Sequence, residues 1–299
     1  MTMDDLIQYN KNQSETYGWE PDLFGCDAFD SNLIQKIKEF QGEYGLSVDG
    51  MCGPNTYRRA WTARNEHISD YEIEHDDSDK SIVYNGEFYP IKWKKTVLWD
   101  HENGLTTKDG AYYSYAGKLP REPKFFVTHW DVCLSSKSCA SVLANRGISV
   151  HFCIDNDGTI YQLLDMQHGA WHAGGRSWNQ SSVGVEISNA YYTKYQSWYV
   201  SNGFGERPIQ SGVKCHNSTL EDHLGFYPIQ LEALAALYEA VHNALGIPYQ
   251  TPENKYGVDS KARANDFEGF CSHYHLTSGK IDVAGVDLDD ICSKAKELE

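Results

Sequence analysis

The chain has 299 residues, with 42 acidic against 26 basic side chains and a formal charge of −16. That balance argues against a protein that neutralises nucleic-acid phosphates, and no apolar stretch approaches the roughly 20 residues of a membrane helix, so no membrane insertion is expected. The opening Met-Thr-Met-Asp-Asp has no apolar segment behind it, so no Sec-type leader is visible and a cytoplasmic location is expected.

Two helical segments stand out near the N-terminus. Asp30 or Ser31 can cap a helix whose Leu33, Ile34, Ile37 and Phe40 follow helical spacing and which ends near Gly45. An Asp49-Gly50 turn follows, then a short helix from about Asn55 with Tyr57, Ala60 and Trp61 facing inward. Two helices this short are marginal alone, so Trp19 and Phe24 are expected to complete a three-helix core. The run Phe40-Gln41, Gly45-Leu46-Ser47-Val48-Asp49-Gly50, Gly53 and Thr56 resembles the signature of the small helical peptidoglycan-binding domain over about residues 16–65. The resemblance implies a module that grips the glycan strand and does no chemistry.

Residues 66–79 hold seven acidic side chains and no basic ones. A like-charge run repels itself and reads as an extended linker. The predicted organisation is therefore a helical domain over 1–65, a linker over 66–80 and a larger domain over 81–299. In the larger domain, residues 91–99, 125–129, 148–154, 159–163 and 183–187 are short β-branched or aromatic runs bounded by Gly, Asn or Asp. Asn156-Asp157-Gly158 reads as a hairpin turn. Pro228 opens the clearest helix, with Leu231, Leu234, Ala235, Tyr238, Val241 and Leu245 inward and Gly246 after it. Strands and helices interleaved in this way predict an α/β fold (α+β in its helical addition), a mixed central sheet flanked by helices.

Of twelve histidines, His129 ends a strand where a side chain can emerge at the sheet edge. Residues 270–282 pack His273, His275, Lys280 and Asp282 into a short loop. Two imidazoles and a carboxylate with a fourth position left for water form the pattern of a catalytic zinc site. Five ordered segments then carry a second resemblance: Phe126-Val127-Thr128-His129; residues 150–162 with Asn156-Asp157-Gly158; Ala170-Trp171-His172-Ala173-Gly174; Asn179-Gln180-Ser181-Ser182-Val183-Gly184-Val185-Glu186; and Ser272-His273 with Lys280-Ile281-Asp282. Together they resemble the zinc-dependent N-acetylmuramoyl-L-alanine amidases, the family shared by phage lytic amidases and peptidoglycan-recognition proteins. The resemblance implies Zn2+ held by His129, His273 and Asp282, with Glu186 as catalytic acid and base and Lys280 as oxyanion stabiliser. Such a Glu186 needs a pKa raised toward neutrality. His151, Trp171, His172 and Asn179 fall where the family lines its substrate groove, though His151 and His172 could instead orient a neighbour. His275 is an alternative second ligand.

Several features depart from the family pattern or remain open. Val283 replaces the usual proline after the last ligand, and Val150 stands where some members have a catalytic tyrosine. Residues 190–226 are extra, rich in aromatics, and expected to loop over the groove. The eight cysteines contain no CxxC pair and are expected to be reduced. The Cys133 and Cys139 spacing is similar to a small disulfide loop in the recognition-protein branch. Cys215, His216 and His223 make an incomplete second metal set. The resulting reading is a peptidoglycan hydrolase of the phage endolysin kind, held in the host cytoplasm until the membrane is breached. A wall-recycling amidase, a non-catalytic peptidoglycan receptor and a virion component are the alternatives, and retention of the three candidate ligands with Glu186 and Lys280 favours an enzyme.

Overall fold

The computed structural model describes residues 2–65, 81–93 and 95–299, so the expected acidic linker and the inward face of Trp61 lie outside what it describes. The N-terminal module contains one helix more than the hydrophobic pattern shows. Met3–Tyr17 is helical, with Thr2 and Asp5 capping it reciprocally and Gly18 closing it in the left-handed conformation. Its inner face is Leu6, Asn10 and Ser14, mostly polar, which hides it from a search for apolar periodicity. Asn10 earns its burial by donating to the Gly50 carbonyl at 2.9 Å and accepting the Cys52 amide at 2.7 Å. Trp19 and Phe24 do enter the core, edge to face, Trp19 from the loop after the first helix and Phe24 from a 3-10 turn at Pro21–Phe24.

The two helices expected from sequence are Ser31–Glu43, capped by Asp30, and Pro54–Asn65. Between them, the buried Gln41 organises the turn. Its amide nitrogen donates to Asp49 Oδ1, Met51 O and Thr56 Oγ1, and its oxygen accepts the Asp49 and Gly50 amides. Gly50 has φ +79°, and a Cβ there would lie 2.9 Å from Ile34. The Gln, Asp-Gly and Thr positions of the motif are thus one hydrogen-bonded unit.

The larger domain is built on a six-stranded mixed sheet. Its order is Gly269–Ser272, Phe125–Trp130, Ser182–Ile187, Phe152–Ile154, Ile160–Gln162 and Thr96–Leu98. The first four strands run parallel, Phe152–Ile154 and Ile160–Gln162 form the antiparallel hairpin, and Thr96–Leu98 is parallel to the latter. The helices Pro228–Leu245 and Leu288–Glu297 cover one face, where Tyr238 stacks on Phe270 and bonds Thr128. Ser136–Arg146 lies across the other face. A strand over 91–99 is cut to Thr96–Leu98, and Ser81–Tyr84 pairs with Glu87–Pro90 around Asn85-Gly86, a hairpin signal absent from the expectations above. Among the described residues no helix is long and apolar enough to cross a membrane.

The 190–226 segment divides: its first half packs on the helical module, and its second half reaches the 280–286 loop, where His216 bonds the Lys280 carbonyl. Tyr195, Trp198 and Tyr199 are buried with Tyr44 of the helical module and Leu134. Tyr192 donates to the Tyr44 carbonyl, Lys194 sits 3.2 Å over the Tyr44 ring and bonds Glu43, and Arg59 lies 3.8 Å over Tyr192. Arg207 locks the segment from inside, held between Tyr199 and Tyr227 and bonded to Gly225 O, Ser188 O, Gln230 and Asn156. Tyr195, Trp198 and Tyr199 spend their rings on packing rather than on a sugar. A second shared cluster joins Leu33, Ile37, Cys52 and Tyr57 to Cys133, Cys139, Val142 and Leu143. The module is docked on the larger domain through side chains as well as joined to it by chain.

Candidate active site

Strand register brings the first two candidate residues together. His129 is the Cα partner of Glu186 in a parallel pair, so both side chains project from the same face near the strand ends. Ser272 pairs with Thr128, and His273 opens the helical turn His273–Leu276 immediately beyond it. The Tyr274 amide donates to Asp282 O at 3.0 Å, folding the loop back so that Asp282 meets both imidazoles.

His129 Nδ1 and His273 Nδ1 lie 2.9 and 3.1 Å from the same oxygen, Asp282 Oδ2. The two rings stand edge to face, 4.6 Å apart. All three residues are buried, and their ligand atoms lie within 4.8 Å of one another. Burial first, then the neighbouring His273, lowers the His129 pKa to about 4. Burial works to raise the Asp282 pKa, but the His273 and His129 imidazoles outweigh it and hold the carboxyl well below its usual range. Burial thus keeps His129 from holding a proton while Asp282 stays a carboxylate, which suits metal ligation at both. The two nitrogen–oxygen separations near 3 Å are close to the edge of a zinc tetrahedron, roughly 3.3 Å for bonds near 2.0 Å. Lys280 is half-buried, and its charge is among those that disfavour protonation of His129.

His275 stands apart from this cluster. Its Nδ1 accepts the Ser272 amide at 2.9 Å, and it lines a cavity of about 670 Å³ with Tyr274 and Asp287. Cys215, His216 and His223 form no metal-capable group among the described residues. His216 bonds the Lys280 carbonyl and His223 stacks on Tyr191. All eight cysteines, Cys133 and Cys139 included, are buried, and none is in a disulfide.

The four residues expected to line the groove divide. His151 is fully buried, its Nδ1 accepting the Gly184 amide and its Nε2 within 3.0 Å of His168 O and 2.9 Å of Arg121. Asn179 is buried as well, its oxygen accepting the amides of His172 and Ala173 and so pinning the 170–174 loop. Both spend their polar atoms on the protein, because the loop's backbone would otherwise be left unsatisfied. His172 lies against the cluster, 3.0 Å from His129 Nε2. Trp171 is half-buried beside Tyr113. Two residues that no motif reading singled out support this region. Arg121 is buried and donates to the carbonyls of Met166, Asn179, Gln180 and Ser182. Ser182 bonds His172. A lone arginine after Leu119-Pro120 carries no periodic or spacing signal, whereas Ser182 lay inside a recognised segment without a role.

The N-acetylmuramoyl-L-alanine amidase family profile matches residues 119–282, more than half of the chain and all of the cluster. The chain belongs to this amidase family. Its members are hydrolases acting on the muramoyl-L-alanine linkage of peptidoglycan. A peptidoglycan binding domain profile matches residues 7–59. A Rickettsia conorii protein that bears the same amidase name is 26% identical over 208 residues, 66% of this chain and 72% of its own. Among solved structures, Staphylococcus aureus hydrolase AmiA shares 14% identity over 69% of this chain and 84% of its own, at a TM-score of 0.41. The Clostridium intestinale endolysin amidase LysCS shares 17% over 68% of this chain and 95% of its own, at 0.37.

Proposed function

We propose that this amidase uses Zn2+ held by His129, His273 and Asp282 to hydrolyse the amide joining the lactyl group of N-acetylmuramic acid to L-alanine. The observation that carries the reading is the convergence of three buried ligand atoms beside a strand-paired carboxylate, Glu186. Zinc would supply a Lewis acid that brings the pKa of water near 7 and polarises the carbonyl. Glu186 takes the proton of the attacking water and returns it to the departing amine of L-alanine. Lys280 offsets the negative charge that develops on the carbonyl oxygen. Trp171 and Tyr113 offer aromatic faces to the substrate.

The helical module suits an enzyme that works on intact wall polymer, since soluble fragments need no glycan grip. Eight cysteines outside any disulfide suit storage in a reducing compartment. We read the whole as an endolysin-like enzyme, kept in the host cytoplasm and reaching the wall after the membrane is breached. Digestion of purified peptidoglycan with and without a zinc chelator tests the chemistry. New L-alanine amino termini, lost with the chelator, are expected. New reducing sugar ends would identify a glycosidase, and neither product would identify a receptor. For location, expression inside a bacterium should be harmless until a pore-forming protein is induced, and lysis without it would sink the endolysin reading.

A further inference from the structure

The cluster is held from behind by a chain of hydrogen bonds whose direction can be worked out from one end. Ser182 Oγ lies 2.7 Å from the Trp178 carbonyl, which can only accept, so the hydroxyl proton points there. The same Oγ lies 3.1 Å from His172 Nε2 and, having spent its proton, accepts from it. His172 is then the Nε2–H tautomer with a bare Nδ1. That Nδ1 lies 3.0 Å from His129 Nε2, which must therefore carry the proton. The remaining nitrogen, His129 Nδ1, presents its lone pair 2.9 Å from Asp282 Oδ2. Two acceptors this close call for a cation between them.

We infer that Ser182 and His172 are positioning residues that fix the tautomer of His129, aiming Nδ1 at the metal position. This rests on the zinc reading above. The backbone is shaped for the relay. The His172 ring lies on Gly184, where a Cβ would stand 2.5 Å from Nδ1 and 2.6 Å from Cε1. Glycine at this point of the strand makes room for the ring.

The test uses the full chain loaded with zinc and labelled with 15N at histidine. Long-range 1H–15N spectra should show His172 protonated at Nε2 and bare at Nδ1, and His129 with a slowly exchanging Nε2–H. His172→Leu removes the acceptor and should weaken zinc binding about 10- to 100-fold. His172→Asn, whose amide oxygen falls near the Nδ1 position, should recover most of that loss, whereas His172→Gln should not. Ser182→Ala should leave the fold intact and give His172 a mixed tautomer, which guards against the leucine variant failing to fold. A His172 protonated at Nδ1 in the wild type, or His172→Leu binding zinc like the wild type, overturns the relay. Because tautomer and zinc affinity are read without substrate, a relay that holds in a protein that cleaves no peptidoglycan would refute the proposed function alone.

Discussion

The Gln41 network of the helical module and the His129 cluster of the amidase domain are both buried and polar, yet they are built on opposite terms. In the module, donors meet acceptors: Gln41 and Asn10 donate to carbonyls and accept the amides of the Asp49–Cys52 turn. In the amidase domain, three ligand atoms converge on one point, and His273 Nε2 is buried without a partner among the described residues. A matched network satisfies the backbone and specifies a turn. A set of converging ligand atoms is one that could hold a cation, and so points to chemistry.

The largest expected effect comes from breaking the converging set. His273→Ala should abolish stoichiometric zinc, read by elemental analysis, and cut amide hydrolysis by about three orders of magnitude or more, with little change in thermal stability. Glu186→Ala should keep zinc and lose about 10²- to 10⁴-fold in turnover. Zinc loss in that variant would mean that Glu186 is a ligand. Breaking the matched set should do the reverse. Gln41→Ala strips partners from the Asp49 and Gly50 amides and should destabilise the module by about 2–3 kcal/mol, measured by denaturation. Hydrolysis of small soluble muropeptides should survive, and equal loss on soluble and polymeric substrates would show that the module is needed for chemistry.

Asp155 sharpens the contrast, because its Oδ2 is buried without a partner yet it belongs to no metal-capable group. Burial, and then Asp157, raises its pKa from 3.8 to about 8. The fold thus favours the protonated acid. Its contribution is fully present below about pH 4 and is lost as pH rises through about 8. Asp155→Asn should match the wild type in stability near pH 4 and exceed it near pH 9, by paired thermal melts. An equal offset at both pH values would argue against a buried ionisation. The smallest effect is at the docking surface. Lys194→Ala removes an exposed ion pair and two cation–π contacts, to Tyr44 and Tyr195, costing about 1 kcal/mol or less. Faster proteolysis between the domains would reveal it.

Much of this organisation can be read from residue order. The Asp30 cap, the Asp49-Gly50 turn and the span of Pro228–Leu245 follow from local rules, because capping, left-handed glycine and apolar periodicity act within a few residues. Met3–Tyr17 escapes those rules because Asn10 and Ser14 form its buried face. Tyr195, Trp198 and Tyr199 pack on the helical module instead of over the groove for a related reason: aromatic rings pack on a helix as readily as on a sugar, and sequence does not say which neighbour is near.

By itself, then, the sequence determined which side chains could hold a metal and in what order they come, since ligand chemistry belongs to residue type and motif spacing. Only the tertiary structure decided that Asp282 Oδ2 faces both His129 and His273, that His275 turns away, and that His151 and Asn179 serve the scaffold. It also decided that Ser182, 53 positions along the chain from His129, stands two hydrogen bonds behind it. The physical reason is that hydrogen-bond direction and burial are properties of atoms brought close by strand register and loop closure, and neither is encoded at any single position.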